Sequence, residues 1–338
     1  MNAIISLKEY KTEKQSLLKY IEEFKTKKIL IVGDIMLDSY LYGKVNRISP
    51  EAPIPIVSVT SREYRLGGAA NVAFNIKSLG AEVIVCSVIG NDEKAEIFKN
   101  ILKENNLTDI GIIQSTERKT TVKHRIISAG QHLLRVDDEI TSDISEELSQ
   151  QLINRIIEII DNEKIDLIIF QDYDKGVLTK SVIEQIIKIA ETKEIPTAVD
   201  PKRKNFLSYR NVNLFKPNFK EFCEGTKTEI DKKDFVALSF TCKKFITEMN
   251  VKIGLITLSE NGVLICTKEE CLHFPANNIH QIADVSGAGD TVISVAGLLL
   301  ACNADIKDIA YLSNLAGGIV CKKLGVVSVT TEELLQSL

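Results

Sequence analysis

The run Asp284-Val-Ser-Gly-Ala-Gly-Asp290 sets small residues between two carboxylates, directly before the apolar stretch Thr291 to Cys302. Glycines around a small residue leave the backbone N–H groups of Gly287, Ala288 and Gly289 free to face a ligand at the mouth of a helix. A helix N-terminus carries roughly half a positive charge, so this is an anion hole suited to phosphate, above all to the charge that builds on a phosphoryl group in transfer. A carboxylate at Asp290 would repel that anion unless it has its own task, and the obvious task is to take the proton of an attacking hydroxyl. The helix terminus should lower the pKa of Asp290 by less than about one unit, which makes it a weak base. Aspartate is also a common helix cap and Gly-x-Gly a common tight turn, so the run alone leaves both readings open.

Other residues offer supporting chemistry. Asn218 and Glu221 stand one helical turn apart, where an amide oxygen and a carboxylate suit a hard cation that keeps much of its water, or form a capping box. Gly67-Gly-Ala-Ala-Asn71 joins glycines that let a backbone approach polyol hydroxyls to an asparagine that both donates and accepts. Leu255 to Gly262 reads as a buried strand ending in a polar turn, which with Val263 to Cys266 makes a plain hairpin.

The elements that must position these groups alternate. Lys28 to Val32, Val83 to Val88, Asp166 to Phe170, Pro196 to Val199, Leu214 to Lys216 and Ile253 to Leu258 are short and rich in Ile and Val, as buried strands are. Between them, Asn71 to Leu79, Asp92 to Glu104, Ser145 to Asn162, Lys180 to Lys193, Phe235 to Met249 and Asp305 to Lys323 carry apolar residues at helical spacing. That order predicts an α/β fold with a mostly parallel sheet covered on both faces and ligands beyond the strand C-termini. Ser39 to Arg65 and Ile112 to Val136 break the rhythm with prolines and β-branched alternation, and they predict a small separate β-sheet. Residues 1–27 form an N-terminal helical extension, with Leu17, Ile21 and Phe24 at helical spacing, before a main domain of residues 28–338.

Composition excludes several classes. The seven cysteines are scattered, many in apolar runs, with no Cys-x-x-Cys pair, and read as reduced core residues. The four histidines show no metal-ligand spacing. A net charge of −4 without a long basic block argues against nucleic acid, the apolar runs are too short to span a bilayer, and the charged N-terminus is no signal peptide. A cytoplasmic protein is expected.

Asp-x-[Ser/Thr]-Gly-Ala-Gly-Asp resembles the C-terminal signature of the PfkB, or ribokinase-like, sugar kinases, and Arg65-Leu-Gly-Gly-Ala-Ala-Asn-Val-Ala-Phe-Asn75 resembles their N-terminal one. The resemblance implies a ribokinase-like three-layer α/β sandwich with a β-sheet lid formed by the two irregular segments. It also implies ATP and Mg²⁺ as cosubstrate and cofactor, with Asp290 as base and Gly287, Ala288 and Gly289 as anion hole. Asn218 and Glu221 would act through water on Mg²⁺, while Thr257, Ser259, Glu260, Gly262, Asn314 and Gly317 would line the nucleotide site. Asp34, Asp38, Gly67, Gly68 and Asn71 would grip the sugar. Asp284 and Ser328 are candidates for a monovalent cation such as K⁺. A homodimer through the lid is implied as well.

Within the family, Gly33-Asp-Ile-Met-Leu-Asp-Ser-Tyr40, Arg47-Ile-Ser-Pro-Glu-Ala-Pro-Ile-Pro-Ile-Val57, His132-Leu-Leu-Arg-Val-Asp137, Gln171-Asp-Tyr-Asp-Lys-Gly-Val-Leu178 and Val199-Asp-Pro-Lys202 resemble the heptose 7-phosphate kinases of ADP-heptose synthesis. Asp174 and Arg203 depart from that branch, where a small residue and a glycine are usual. A phosphorylated sugar needs cations remote from Asp290, and Arg135, Lys175 and Lys202 are the candidates. None of His124, His132, His273 or His280 begins the His-x-Gly-His motif of the fused adenylyltransferase, so a stand-alone kinase with a separate adenylyltransferase is expected. The alternatives are another PfkB kinase, of ribokinase or phosphofructokinase type, and a sugar-sensing protein without turnover.

Overall fold

A computed structural model describes residues 5–276, 283–323 and 325–338. Strands β1 (Ile5–Ser6), β2 (Lys28–Gly33), β5 (Glu82–Gly90), β6 (Ile112–Ser115), β9 (Leu167–Gln171), β10 (Thr197–Asp200), β11 (Leu214–Phe215), β12 (Ile253–Thr257), β13 (Val263–Cys266) and β14 (Cys271–Phe274) form a ten-stranded sheet in the order β1-β14-β13-β12-β11-β10-β9-β2-β5-β6. Only the β12-β13-β14 meander is antiparallel. Strands β3 (Ile35–Ile48), β4 (Pro55–Gly68), β7 (Val122–Ser128) and β8 (Gln131–Asp138) form a second sheet of four, ordered β4-β3-β7-β8.

The large sheet has a core on each face because successive side chains of a strand point to opposite sides. On β2, Ile29 and Ile31 enter one core while Leu30 and Val32 enter the other. Helices α1 (Lys14–Phe24), α2 (Ala69–Ser78), α3 (Glu93–Glu104), α8 (Ala288–Ala301), α9 (Ile306–Val320) and α10 (Thr331–Gln336) cover the first face. Helices α4 (Glu146–Asn162), α5 (Lys180–Thr192), α6 (Phe219–Thr226) and α7 (Phe235–Met249) cover the second. Local chemistry sets the helix starts: Ser145, Thr179 and Asp234 each accept a first-turn N–H at α4, α5 and α7. Helix α8 carries no charge after Asp290 and is buried almost all round, as its apolar run requires.

The lid differs from its expected bounds. Ile112–Ser115 does not belong to it, because β6 pairs in parallel with β5 at the edge of the large sheet. The lid instead takes β3 and β4 from Ile35 to Gly68 and β7 and β8 from Val122 to Asp138. Strand β3 is buried through Tyr40 and exposed from Lys44 outward, so the sheet projects from the body.

The N-terminal segment is more than a helix. Strand β1 adds in parallel to β14, and Leu17, Ile21 and Phe24 of α1 pack into the core. Asp308 of α9, itself 7 % exposed, accepts hydrogen bonds from Tyr10 Oη at 2.8 Å, Thr12 Oγ1 at 2.6 Å and Tyr20 Oη at 2.8 Å. The cysteine expectation also needs correction. Cys266 and Cys271 face each other in register across the β13-β14 hairpin and are joined as a disulfide, a pairing set by strand register that spacing does not reveal. Cys86, Cys223, Cys242, Cys302 and Cys321 are free. Among the described residues no helix is long and apolar enough to cross a membrane.

Candidate active site

Parallel strands deliver their C-terminal residues to one edge of the sheet. There β9 ends at Gln171, β10 at Asp200, and Lys216 follows β11, all beside the start of α8. A cleft of about 690 Å³ opens over them, within the usual range for small-ligand sites. Asp290, Gly287, Ala288, Gly289, Lys202, Asn218, Glu221, Thr257, Ser259, Glu260, Gly262, Asn314 and Gly317 all line it.

Asp290 is 4 % exposed at its inner end. Its Oδ2 accepts from Asn71 Nδ2 at 2.7 Å, and its Oδ1 accepts from Tyr173 Oη at 2.7 Å and Gln171 Nε2 at 3.1 Å. Burial pushes its pKa up to about 6, with repulsion from Asp200 adding to the rise and the Asn71 and Tyr173 hydrogen bonds and Lys216 opposing it. The expected downward shift is therefore reversed. A helix terminus is worth a fraction of a kcal/mol at an exposed site, and loss of hydration outweighs it.

Gly287 adopts φ +79°, which glycine takes without strain, and a Cβ there would sit 3.1 Å from Asn71 Nδ2. The anion hole is narrower than expected. The N–H of Ala288 turns back to the Val285 carbonyl at 3.3 Å, whereas those of Gly287, Gly289 and Asp290 have no protein acceptor among the described residues. The hole is flanked by a buried ion pair, Lys216 Nζ to Asp200 Oδ2 at 3.0 Å. A Cβ on Gly289 would lie 3.8 Å from both atoms of that pair.

The cation candidates are partly spent. Asn218 caps α6 through a complete capping box, with Glu221 N to Asn218 Oδ1 at 2.9 Å and Asn218 N to Glu221 Oε2 at 2.8 Å, and Glu221 Oε1 is paired with Lys202. Asp200 Oδ1, by contrast, is buried and has no hydrogen-bond partner. An orphaned carboxylate oxygen at a cleft that Asn218 and Glu221 also line suits a hard, oxygen-preferring cation.

A profile of the pfkB family of carbohydrate kinases matches residues 26–333. The chain belongs to that family. The PfkB kinase is 38 % identical over 312 residues to the bifunctional protein HldE of Campylobacter curvus, an alignment covering 91 % of this chain and 65 % of that protein. It is 39 % identical over 313 residues to the bifunctional protein HldE of Desulfatibacillum aliphaticivorans, covering 92 % and 63 %. The chain thus spans less than two thirds of these relatives. Among solved structures, Escherichia coli phosphofructokinase-2 in complex with potassium aligns over 92 % of this chain and 97 % of its own at TM-score 0.76 and 19 % identity. Arabidopsis thaliana ribokinase complexed with ribose and ATP aligns over 92 % and 98 % at TM-score 0.70 and 14 % identity. At such identities the likeness is one of fold, the ribokinase-like sandwich with its small antiparallel sheet.

In the PfkB kinase several expected sugar contacts do other work. Asp34 is 1 % exposed, and its carboxylate accepts the backbone N–H groups of Tyr173, Lys175 and Val177, so it shapes the loop after β9. Asp38 is buried against Arg125 in an ion pair. Gly67 and Gly68 close the lid strand β4, where a Cβ on Gly67 would meet Asp38 Oδ2 at 2.7 Å and one on Gly68 the Asp34 carbonyl at 2.3 Å. Asn71 donates one amide N–H to Asp290. Arg135 Nε lies 2.9 Å from Asp137 Oδ1, and Lys175 Nζ 2.7 Å from Glu139 Oε1. Asp174 has φ +54°, a region aspartate tolerates better than most.

Asp284 and Ser328 make hydrogen bonds within the chain. Asp284 accepts from Ser286 N at 2.9 Å and Gly325 N at 3.0 Å, while Ser328 Oγ bonds Ser78 Oγ at 2.9 Å. On the nucleotide side, Glu260 pairs with Lys232 at 3.0 Å, Asn314 Nδ2 donates to the Pro275 carbonyl at 3.0 Å, and Gly262 (φ +83°) and Gly317 sit where a Cβ would clash with the Phe274 carbonyl and Val292. Gln171, Tyr173, Asp200 and Lys216 were not singled out from the sequence. The available signal was their shared position at or just past the ends of parallel strands.

Proposed function

We propose that this PfkB kinase transfers the terminal phosphoryl group of ATP to the anomeric hydroxyl of D-glycero-β-D-manno-heptose 7-phosphate, giving the 1,7-bisphosphate and ADP. The observation that carries the chemistry is Asp290: a carboxylate with its pKa up near 6, buried at the mouth of a helix whose first N–H groups face the cleft. A base is most effective when its pKa lies near the working pH. Among the described residues Asp290 Oδ2 accepts only from Asn71, so it keeps lone-pair capacity for the hydroxyl proton. As that proton passes to Asp290, the hydroxyl oxygen bonds to the γ-phosphorus and the bond to the β-phosphate oxygen breaks. The N–H groups of Gly287 and Gly289 and the Lys216 ammonium meet the charge on the transferring group.

Asp200, Asn218 and Glu221 would hold Mg²⁺, whose role is to neutralise phosphate charge. The cleft walls at Thr257, Ser259, Gly262, Asn314 and Gly317 would take the nucleoside. The heptose assignment draws support from the sequence runs that resemble that branch, two of which, at Gln171–Tyr173 and Asp200–Lys202, come together beside Asp290. Exposed Val45, Ile48, Ile54, Val59, Leu133, Leu134 and Val136 on the lid suit a homodimer through that sheet. An ATP-consuming step on a sugar phosphate fits the cytoplasm.

The test is an ADP-release assay across phosphorylated and unphosphorylated sugars, with phosphorus NMR of the product. A new phosphate coupled to H1 is expected from the heptose 7-phosphate. Equal turnover of ribose or fructose 6-phosphate, or a new phosphate on a primary carbon, overturns the heptose reading and leaves the kinase reading standing.

A further inference from the structure

The face of the lid turned toward the cleft carries a row of charges. Asp38 on β3, Lys123 on β7 and Asp137 on β8 stand opposite one another in register, so their side chains share one face, and Arg125 and Arg135 lie two residues along on the same side. The arginines are both occupied: Arg125 is paired with Asp38 and Arg135 with Asp137. Lys175, across from them, is held by Glu139. Lys123 alone of this group has no carboxylate within ion-pair distance among the described residues.

Its side chain is half-buried, and burial pulls the ammonium pKa down, against an upward pull from Asp38 that does not restore it. An ammonium drawn out of water without a partner is a standing cost that an incoming anion would remove. The side chain is aimed at the site. Lys123 Nζ lies 5.4 Å from the centroid of the Tyr173 ring, Lys202 Nζ lies 5.5 Å from the same centroid, and the hydroxyl of that ring donates to Asp290. Two ammonium groups therefore approach one tyrosine whose far end touches the base.

We propose that Lys123 is the subsite for a phosphate monoester carried by the sugar at the end remote from the reacting hydroxyl. This rests on the reading of the site as a kinase for a phosphorylated sugar. It replaces Arg135 and Lys175, whose charges the lid and its neighbouring loop already satisfy. Tyr173 is then the spacer between the two ends of the substrate, separating the bound phosphate from the hydroxyl presented to Asp290. Lys123 is a compact ammonium with no carboxylate to give up among the described residues before the phosphate arrives.

The experiment compares matched sugars with and without a terminal phosphate (heptose and heptose 7-phosphate, ribose and ribose 5-phosphate, fructose and fructose 6-phosphate) on the native protein and on Lys123→Met. Loss of one charge-assisted contact to phosphate should raise KM for the phosphorylated substrate by about 10–100-fold. Kinetics on the unphosphorylated partner should be unchanged, which excludes misfolding, and Lys123→Arg should recover part of the loss. Equal effects on both members of a pair, or none on either, would overturn the subsite. So would a native enzyme that uses only unphosphorylated sugars. A native enzyme that prefers another sugar phosphate, with the same selective loss in Lys123→Met, would overturn the heptose reading and keep the subsite.

Discussion

The two walls that meet at Asp290 settle their charges in different ways. The core wall is made of strand ends, and its cations have partners there: Lys216 holds Asp200 at 3.0 Å and Lys202 holds Glu221. The lid wall is a sheet anchored at one end only, and it leaves Lys123 half-buried and unpaired while Arg125 and Arg135 are taken. A wall whose dipoles are fixed before the ligand arrives suits the invariant part of the reaction, the transferring phosphoryl group. A wall with one unsatisfied charge suits the part that differs between sugars.

The largest break in this contrast should come from Asp290→Asn. We expect kcat to fall by roughly 10²–10⁴-fold, with sugar and ATP binding little changed. The same variant should gain stability. The folded pKa of about 6 lies above the unfolded value, so the native state holds this proton more tightly; the contribution is intact below about pH 4 and is lost as pH rises through 6. Urea unfolding should therefore show Asp290→Asn more stable than the native protein by on the order of 1–3 kcal/mol at pH 8, with little difference at pH 4. A near-native kcat would remove Asp290 from the mechanism.

Next in size is Lys216→Met. Lys216 is 2 % exposed, and its loss strands the Asp200 carboxylate, which should cost roughly 3–5 kcal/mol in urea unfolding. Lys123→Met should cost less than about 1 kcal/mol, having no pair to break. Comparable losses at the two positions would erase the distinction between the walls.

Tyr173→Phe sharpens the contrast at its seam. The hydroxyl donates to the Asp290 carboxylate and holds its pKa down, so removing it should move the acid limb of kcat/KM upward by about one unit or less. Activity relative to the native protein should be lower at pH 6 than at pH 8. A limb that stays in place or moves down would show that Tyr173 does not act on the base.

The smallest effect is expected for Glu221→Gln, a few-fold higher Mg²⁺ requirement with the capping box weakened by at most about 1–2 kcal/mol. An unchanged Mg²⁺ titration would leave Glu221 with its capping role alone.

The sequence carried the parallel sheet and its two cores because buried strands and amphipathic helices announce themselves by period. It also carried Asp290 and its glycines, which are contiguous. Gln171 and Asp200 were read only as members of longer runs, and Lys216 only as the end of a strand, because each is one polar residue at a strand end, and they become neighbours only when β9, β10 and β11 align. The loop-holding role of Asp34 was hidden for a related reason: the N–H groups that meet its carboxylate come from Tyr173, Lys175 and Val177, far along the chain. The sign of the Asp290 shift needed the burial of the finished site, whereas the helix terminus was visible from the start. Register hid the Cys266–Cys271 pair in the same way, and the placement of Ile112–Ser115 in the large sheet depended on a neighbour, β5, that spacing does not name.

The seam between the N-terminal segment and α9 has a consequence for solution conditions. Asp308 is held there by the hydroxyls of Tyr10, Thr12 and Tyr20, with no ammonium or guanidinium among the three. Ionic strength screens pairs of charges, such as those on the surface of α1, but has little hold on a hydrogen bond from a neutral donor. Burial and the neighbouring carboxylate push both phenol pKa values well above the ordinary tyrosine range, so the donors keep their protons in moderate alkali. The first strand should thus stay sewn to the sheet edge in brine or mild base, while the exposed salt bridges around it come and go.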